Sequence, residues 1–333
     1  MQPNETIQLA DLLNGLVELN AVGDNPSPQH FTPPPAKPFR LTAVNGKILP
    51  DLLMYDYLNR NEMGSSTFAA IQKSELALQY EIANKGNGER KSYYETGTAV
   101  HSYIEAWSAG VSLDAYLETL NVVPTFNRST TDGVVAEIDF YSNLLGVNFN
   151  ATMPDKIADK KALADRLRKE CEKSHTFVTE KDAAIIAGVA AELQRRHNET
   201  GLLDWLRFAK SEWTFFYEHF KVRPDLLCDG LIVSVKTCAN LANAHKAAQY
   251  DYGIKEAFYR YIIEQVTGVK QETVFLFFET VAPYQSRLIY VSPETAQYYD
   301  KIVKELVVKA NRCLDNNKFR GYEANLEYGV EII

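Results

Sequence analysis

Apolar residues recur at helical spacing in some stretches of the chain and cluster into short β-prone runs in others. After Ser65-Ser66-Thr67, the run Phe68, Ile71, Leu76, Leu78 predicts a helix behind a hydroxyl cap. Tyr94–Trp107 predicts a second helix, with Gly97 near its start. Residues 120–155 read as loop-rich with short apolar pieces. Asp155–Lys173 alternates in charge sign, the pattern of a solvated surface helix. Asp182–His197 is Ala-rich and helical. The texture then changes. Trp213–Phe220 is aromatic and β-prone, and Leu226-Leu227 leads through Asp229-Gly230 into Leu231–Val235, a strong hairpin signal. A helix over Asn243–Val266 follows, then strands over Val274–Glu279 and Ser286–Val291 joined through Pro283-Tyr284. The final helix runs over Pro293–Leu314. This order predicts an α/β architecture with a small mixed sheet.

Composition adds the domain plan. Residues 1–45 hold the run Pro26–Pro38, including Pro33-Pro34-Pro35, which favours extended polyproline geometry; they read as a flexible Pro-rich arm. Residues 46–333 read as the globular domain. With 333 residues, 46% of them hydrophobic, the chain has ample material for a core. No apolar run approaches the roughly 20 residues that cross a bilayer, and MQPNETIQLADLLNG lacks the features of a secretory signal. Four cysteines, Cys171, Cys228, Cys238 and Cys313, form no CxxC pair, so a cytoplasmic protein without membrane attachment is expected. The net charge of −8 argues against a protein that coats nucleic acid, but not against one that grips phosphates within a local cleft. P-loop, GxSxG and HExxH motifs are absent.

The stretch that carries chemistry is Arg223-Pro224-Asp225, Asp229-Gly230, Ser234-Val235-Lys236-Thr237. Asp225 precedes one hairpin strand, and Ser234 and Lys236 share a face of the other. An acid and a lysine converging on one face suit phosphodiester hydrolysis. Carboxylates hold a divalent ion that polarises the phosphate, and a lysine orients the attacking water.

This stretch resembles the PD-(D/E)XK nucleases, in particular the branch of RecB-type nuclease domains and the phage and prophage RecE exonuclease. Four further features, in the same order, resemble that branch: Gly97-Thr98-Ala99-Val100-His101, Glu212 before the Asp motif, the tyrosine-rich Tyr250–Tyr259, and Glu279 with Pro283-Tyr284. The similarity covers roughly residues 50 to 315. It implies a restriction-endonuclease-like core with a helical N-terminal portion, and an exonuclease resecting double-stranded DNA ends for recombination. It also implies Mg²⁺, for which Mn²⁺ substitutes, bound by His101, Asp225 and the Val235 carbonyl. Lys236 and Glu212 would complete the catalytic set, and Arg223, Thr237, Lys255 and Tyr259 would contact DNA. A homo-oligomer, a single-strand annealing protein as partner and a phage or prophage origin in a bacterial host follow from the resemblance as well.

The departures from the family pattern open two readings. Ser234 stands where the family has Asp or Glu, Lys255 where it usually has Gln, and Gly253 where it often has His. In one reading the site has decayed and the domain is a DNA- or protein-binding module. In the other the acid has moved to the following helix, as in a minority of restriction endonucleases with S-x-K. Asp251, Lys255 and Tyr259 at i, i+4, i+8 would share a face of that helix, making Asp251 the first candidate. Glu256, about 100° around from Lys255, is the lesser one. An endonuclease of the same fold is a third possibility.

Overall fold

The structure is a computed structural model that describes residues 37–50, 52–84, 92–147, 153–171, 177–200 and 204–320. Residues 1–36, most of the Pro-rich arm, lie outside that set. In chain order the elements are β1 (Lys47–Leu49), α1 (Met54–Asn59), α2 (Ser65–Ala69), α3 (Glu75–Ala83), α4 (Ser92–Ser108), α5 (Leu113–Glu118), β2 (Asn121–Val123), α6 (Thr131–Leu145), α7 (Ile157–Cys171), β3 (Phe177–Thr179) and α8 (Glu180–Thr200). Then come β4 (Lys210–Ser211), β5 (Thr214–Tyr217), β6 (Phe220–Val222), β7 (Leu226–Cys228), β8 (Leu231–Cys238), α9 (Gly253–Thr267), β9 (Glu272–Glu279), β10 (Ser286–Tyr290) and α10 (Pro293–Asn316).

The main sheet has the order β10-β9-β8-β7-β4, with β8 and β9 parallel and the remaining pairs antiparallel. Parallel neighbours cannot be joined by a tight turn, so the connection from β8 to β9 carries α9 over one face of the sheet. Residues Leu231 to Val235 of β8 are all buried, as a central strand covered on both faces requires. Leu231, Val233 and Val235 enter a core shared with Val100, Tyr103 and Ile104 of α4 and Ile186 and Val189 of α8. Ile232 points the other way, into a core with Phe258, Ile262 and Ile263 of α9 and Val303 and Val307 of α10. The polar pair Ser234 and Lys236 continues that second face toward α9, because side chains alternate along a strand. A smaller sheet, β1-β5-β6, closes the α9 side.

Four expectations need correction. The helix from Ser65 is split into α2, a 3-10 turn and α3; Gly64, with no side-chain bond, precedes α2, while Ser74 caps α3 by accepting from the Ala77 amide at 3.0 Å. Of residues 120–155, expected to be loop-rich, 148–152 lie outside the described residues and 131–145 are a helix: Thr130 caps the 15-residue α6, whose Val134, Ile138 and Tyr141 sit on one buried stripe. The charged α7 is not merely a solvated face, since Leu163, Ala164, Leu167 and Cys171 pack on that stripe and complete a helical hairpin with its own core. The helix over Asn243–Val266 is interrupted. Residues 241–251 form a 3-10 turn, a short helical turn and a π-helical turn, and regular α-helix begins at Gly253. Among the described residues, no helix is long and apolar enough to cross a membrane.

Candidate active site

Asp225 lies one residue before β7, and the pairing of Leu226 with Val233 sets its carboxylate against the middle of β8. Its Oδ2 accepts from the Val235 amide at 2.8 Å and from Lys236 Nζ at 3.2 Å. His101 of α4 places Nδ1 3.4 Å from the other oxygen, Oδ1. Burial alone would raise the Asp225 pKa, but Lys236 and His101 outweigh it and hold the carboxyl well below the usual range. The Lys236 ammonium also donates to Ser234 Oγ at 2.7 Å and to the Val235 carbonyl at 2.9 Å. Burial works against its charge, and the carboxylates of Asp225 and Glu256 more than offset that, so Lys236 stays protonated at neutral pH.

Glu256 is the acid that the structure brings to Ser234. Ser234 Oγ donates to Glu256 Oε1 at 2.7 Å, while Oε2 of the same buried carboxylate has no hydrogen-bond partner. Burial pushes the Glu256 pKa up; Lys236 and the Ser234 hydrogen bond counter this only in part. The i, i+4, i+8 alignment of Asp251, Lys255 and Tyr259 assumed an unbroken α-helix. The π-helical turn over 247–251 and the break at Tyr252 remove that phase relation. The Asp251 side chain lies outside the described residues. Within α9, Glu256 and Tyr259 are three apart and share the face over the sheet. The Tyr259 hydroxyl is pushed well above its ordinary pKa by burial, then by the neighbouring Tyr57 phenol and the Asp225 and Glu256 carboxylates. It is a neutral donor beside the acids.

Glu212 occupies the corner between β4 and β5 with a left-handed backbone, φ 56°, a strained conformation for a residue with a Cβ. Its carboxylate pairs with the Arg223 guanidinium, which also donates to the Leu52 carbonyl at 2.8 Å and lies over the Tyr57 ring at 5.6 Å. Arg223 is thereby committed to organising this wall. A partner that the sequence reading missed is Glu105, one helical turn beyond His101. Burial, then the Glu212 carboxylate, push its pKa up to about 9. The i+4 spacing from His101 was the available signal; for Tyr57 there was none.

Thr237 faces away from Lys236, and its hydroxyl lies 3.2 Å from where a Cβ on Gly97 would sit, a close approach of α4 to β8. At Gly253 a Cβ would fall 2.5 Å from the Tyr299 ring, which fills the space. Glu279 is not part of the centre, as it accepts from the Leu241 amide at 3.1 Å. The Tyr284 ring packs on Gly188 of α8.

Whether these residues fit a divalent ion is tested by the lysine itself. Its ammonium, a cation, sits among oxygens of Asp225, Ser234 and Val235, and the orphaned Glu256 oxygen lies beside them. The donors are hard oxygens, the set that suits Mg²⁺ or Mn²⁺. Among the described residues, no three His, Cys, Asp or Glu side chains already converge at ligating separation.

A mixed sheet crossed by α9, with an Asp before one hairpin strand and a Lys on the next, makes a mixed α/β core flanked by helices. Residues 209–328 match the family model described as a PDDEXK-like domain of unknown function (DUF3799). PDDEXK nucleases typically depend on a divalent metal. A search of curated proteins returns no match. Among solved structures, a protein from Eubacterium rectale described as "Putative exonuclease" is 13% identical, covering 85% of this chain and 94% of that one, with a TM-score of 0.49. A likeness of that size carries no argument about activity.

Proposed function

We propose that the chain is a metal-dependent deoxyribonuclease acting on the ends of double-stranded DNA, with its strand acid relocated to Glu256. The observation that carries this reading is the contact between Ser234 and Glu256. The serine that replaces the usual acid is bonded to a buried carboxylate from the next helix, so the site keeps two acids and a lysine. Asp225, Glu256 and the Val235 carbonyl would hold the ion, with His101 bracing Asp225. When bound, a divalent ion polarises the phosphate and lowers the pKa of its water. Lys236 Nζ then donates to the attacking water and keeps it oriented. The Tyr259 hydroxyl would donate a hydrogen bond to a phosphate oxygen, and Lys255 would take a neighbouring phosphate. Glu212 and Arg223 fix the wall against which the strand lies. Resection for recombination, a single-strand annealing partner and a homo-oligomer belong to the same reading.

The test is digestion of linear and closed-circular duplex DNA with Mg²⁺ or Mn²⁺, using wild type, Lys236→Ala, Glu256→Gln and Asp251→Asn. Degradation of linear DNA alone, lost in the first two variants and kept in the third, supports an exonuclease with Glu256 as the acid. Loss in Asp251→Asn instead returns that role to Asp251. Cleavage of the closed circle means an endonuclease, and no cleavage with either metal means a binding module.

A further inference from the structure

Outside the acid cluster, the segment before α9 carries a set of tyrosines that the proposed chemistry does not use. The Tyr252 ring rests near Phe275 and Phe277 of β9, with centroids 6.0 Å and 6.4 Å away. Two ammonium groups flank it, Lys236 at 5.4 Å and Lys255 at 6.0 Å. Lys255 is half-buried and, among the described side chains, has no carboxylate within ion-pair distance. Tyr299 lies against Gly253 and donates to the Gln249 carbonyl at 2.7 Å, which brings α10 onto this segment. Near Tyr299 stand Tyr250 and Tyr298, 72% and 62% exposed, with the Tyr298 and Tyr299 centroids 5.2 Å apart. What sets Tyr250 and Tyr298 apart from other exposed rings is that they group around Tyr299, and a grouped aromatic patch is a place for a partner.

The chemistry of the patch selects that partner. Its exposed rings are phenolic rather than aliphatic, it carries a cation without a described counter-ion, and it adjoins the lysine proposed to act on phosphate. Alternating ring and cation is how proteins hold unpaired nucleic-acid strands: bases stack on the rings while phosphates meet the charge. We propose that Tyr250, Tyr298 and Lys255 form a landing surface for an unpaired DNA strand, leading it along Tyr252 to Lys236. This inference rests on the nuclease reading for its ligand, and it adds that ends bearing single-stranded extensions are the favoured substrate.

The full chain is tested in EDTA, so that nothing is cut, by fluorescence anisotropy of a labelled single strand, a blunt duplex and a duplex with an overhang. Wild type should bind the single strand and the overhang more tightly than the blunt duplex. Tyr250→Ala with Tyr298→Ala should weaken single-strand and overhang binding by about tenfold per ring, with blunt-duplex binding unchanged. Tyr250→Phe with Tyr298→Phe should restore it, because stacking needs the ring and not the hydroxyl. Equal binding of the single strand by wild type and the alanine variant overturns the inference, as does equal loss on all three probes. A surface that instead docks a protein would show no dependence of DNA binding on either ring, which also overturns it. The nuclease reading is scored separately with Mg²⁺ or Mn²⁺. Ring-dependent binding without cleavage keeps the landing surface and removes the nuclease, whereas cleavage without ring-dependent binding does the reverse.

Discussion

Replacing Glu256 by Gln separates the energetic from the chemical role of this carboxylate. The side chain is 4% exposed and its charge is penalised by burial, so its folded-state pKa stands above the unfolded value. Between those two values the native state binds more protons than the unfolded state, so stability falls as pH rises through that window and stays lower at neutral pH. Gln keeps an oxygen to accept from Ser234 and carries no charge to desolvate. Lys236 retains Asp225 as its counter-ion. Glu256→Gln should therefore be as stable as wild type or more so at pH 7 without metal, by up to about 1–2 kcal/mol, the scale of a partly compensated buried polar group. It should also lose the fall in stability just above the ordinary glutamate pKa. Metal reverses the ranking. An ion at about 100 times its Kd stabilises wild type by about 2.7 kcal/mol. For a chain of this length that is about 5 °C in Tm, at about 2 °C per kcal/mol. The variant, short of one charged ligand, should show little of that rise, and its cleavage should drop about 100-fold or more. Thermal melts in EDTA and in saturating Mn²⁺ read both halves. A variant that melts below wild type in EDTA, or one that keeps the full metal shift, refutes the assignment of Glu256 as the relocated acid.

Other outcomes follow from the same geometry. Lys236→Ala should cut cleavage about 10²- to 10⁴-fold while metal binding is kept or tightened, because a cation that competes for the Asp225 and Val235 oxygens is gone; isothermal titration with Mn²⁺ checks it, and weakened binding would contradict it. Asp251→Asn should leave cleavage within about threefold of wild type under single-turnover conditions. Glu192, bonded to Arg195, Arg196 and Ser286, has its pKa lowered to about 2 despite burial. The stability it contributes is present above the unfolded glutamate pKa and lost as pH falls toward 2. Glu192→Gln should cost about 2–3 kcal/mol at pH 7 and flatten the acid limb of a urea-denaturation series. Gly253→Ala should destabilise by about 1–3 kcal/mol, since its Cβ would fall 2.5 Å from the Tyr299 ring. A urea midpoint at or above that of wild type would show that the ring moves freely.

Local signals along the chain are enough to specify one part of this protein. Asp229-Gly230 between two apolar runs specifies the β7–β8 hairpin, and strand alternation then puts Ser234 and Lys236 on one side with Asp225 opposite, wherever the rest of the chain goes. Gly97 and His101 are likewise legible within one helix. What required the tertiary structure was the phase of segments whose local preference is weak. A single π-helical turn ahead of Gly253 removed the alignment of Asp251 with Tyr259, and no spacing rule for a regular helix registers an extra residue of that kind. Helix α6 draws its stability from a buried stripe shared with α7, a partner that local pattern does not reveal. Glu105, Glu212, Tyr57 and Glu256 come from four separate parts of the chain. They form one cluster only because β8 is central and covered on both faces, by α4 on one side and α9 on the other. The residue types at this centre were written in the chain, whereas the choice of which carboxylate meets Ser234 was made by packing.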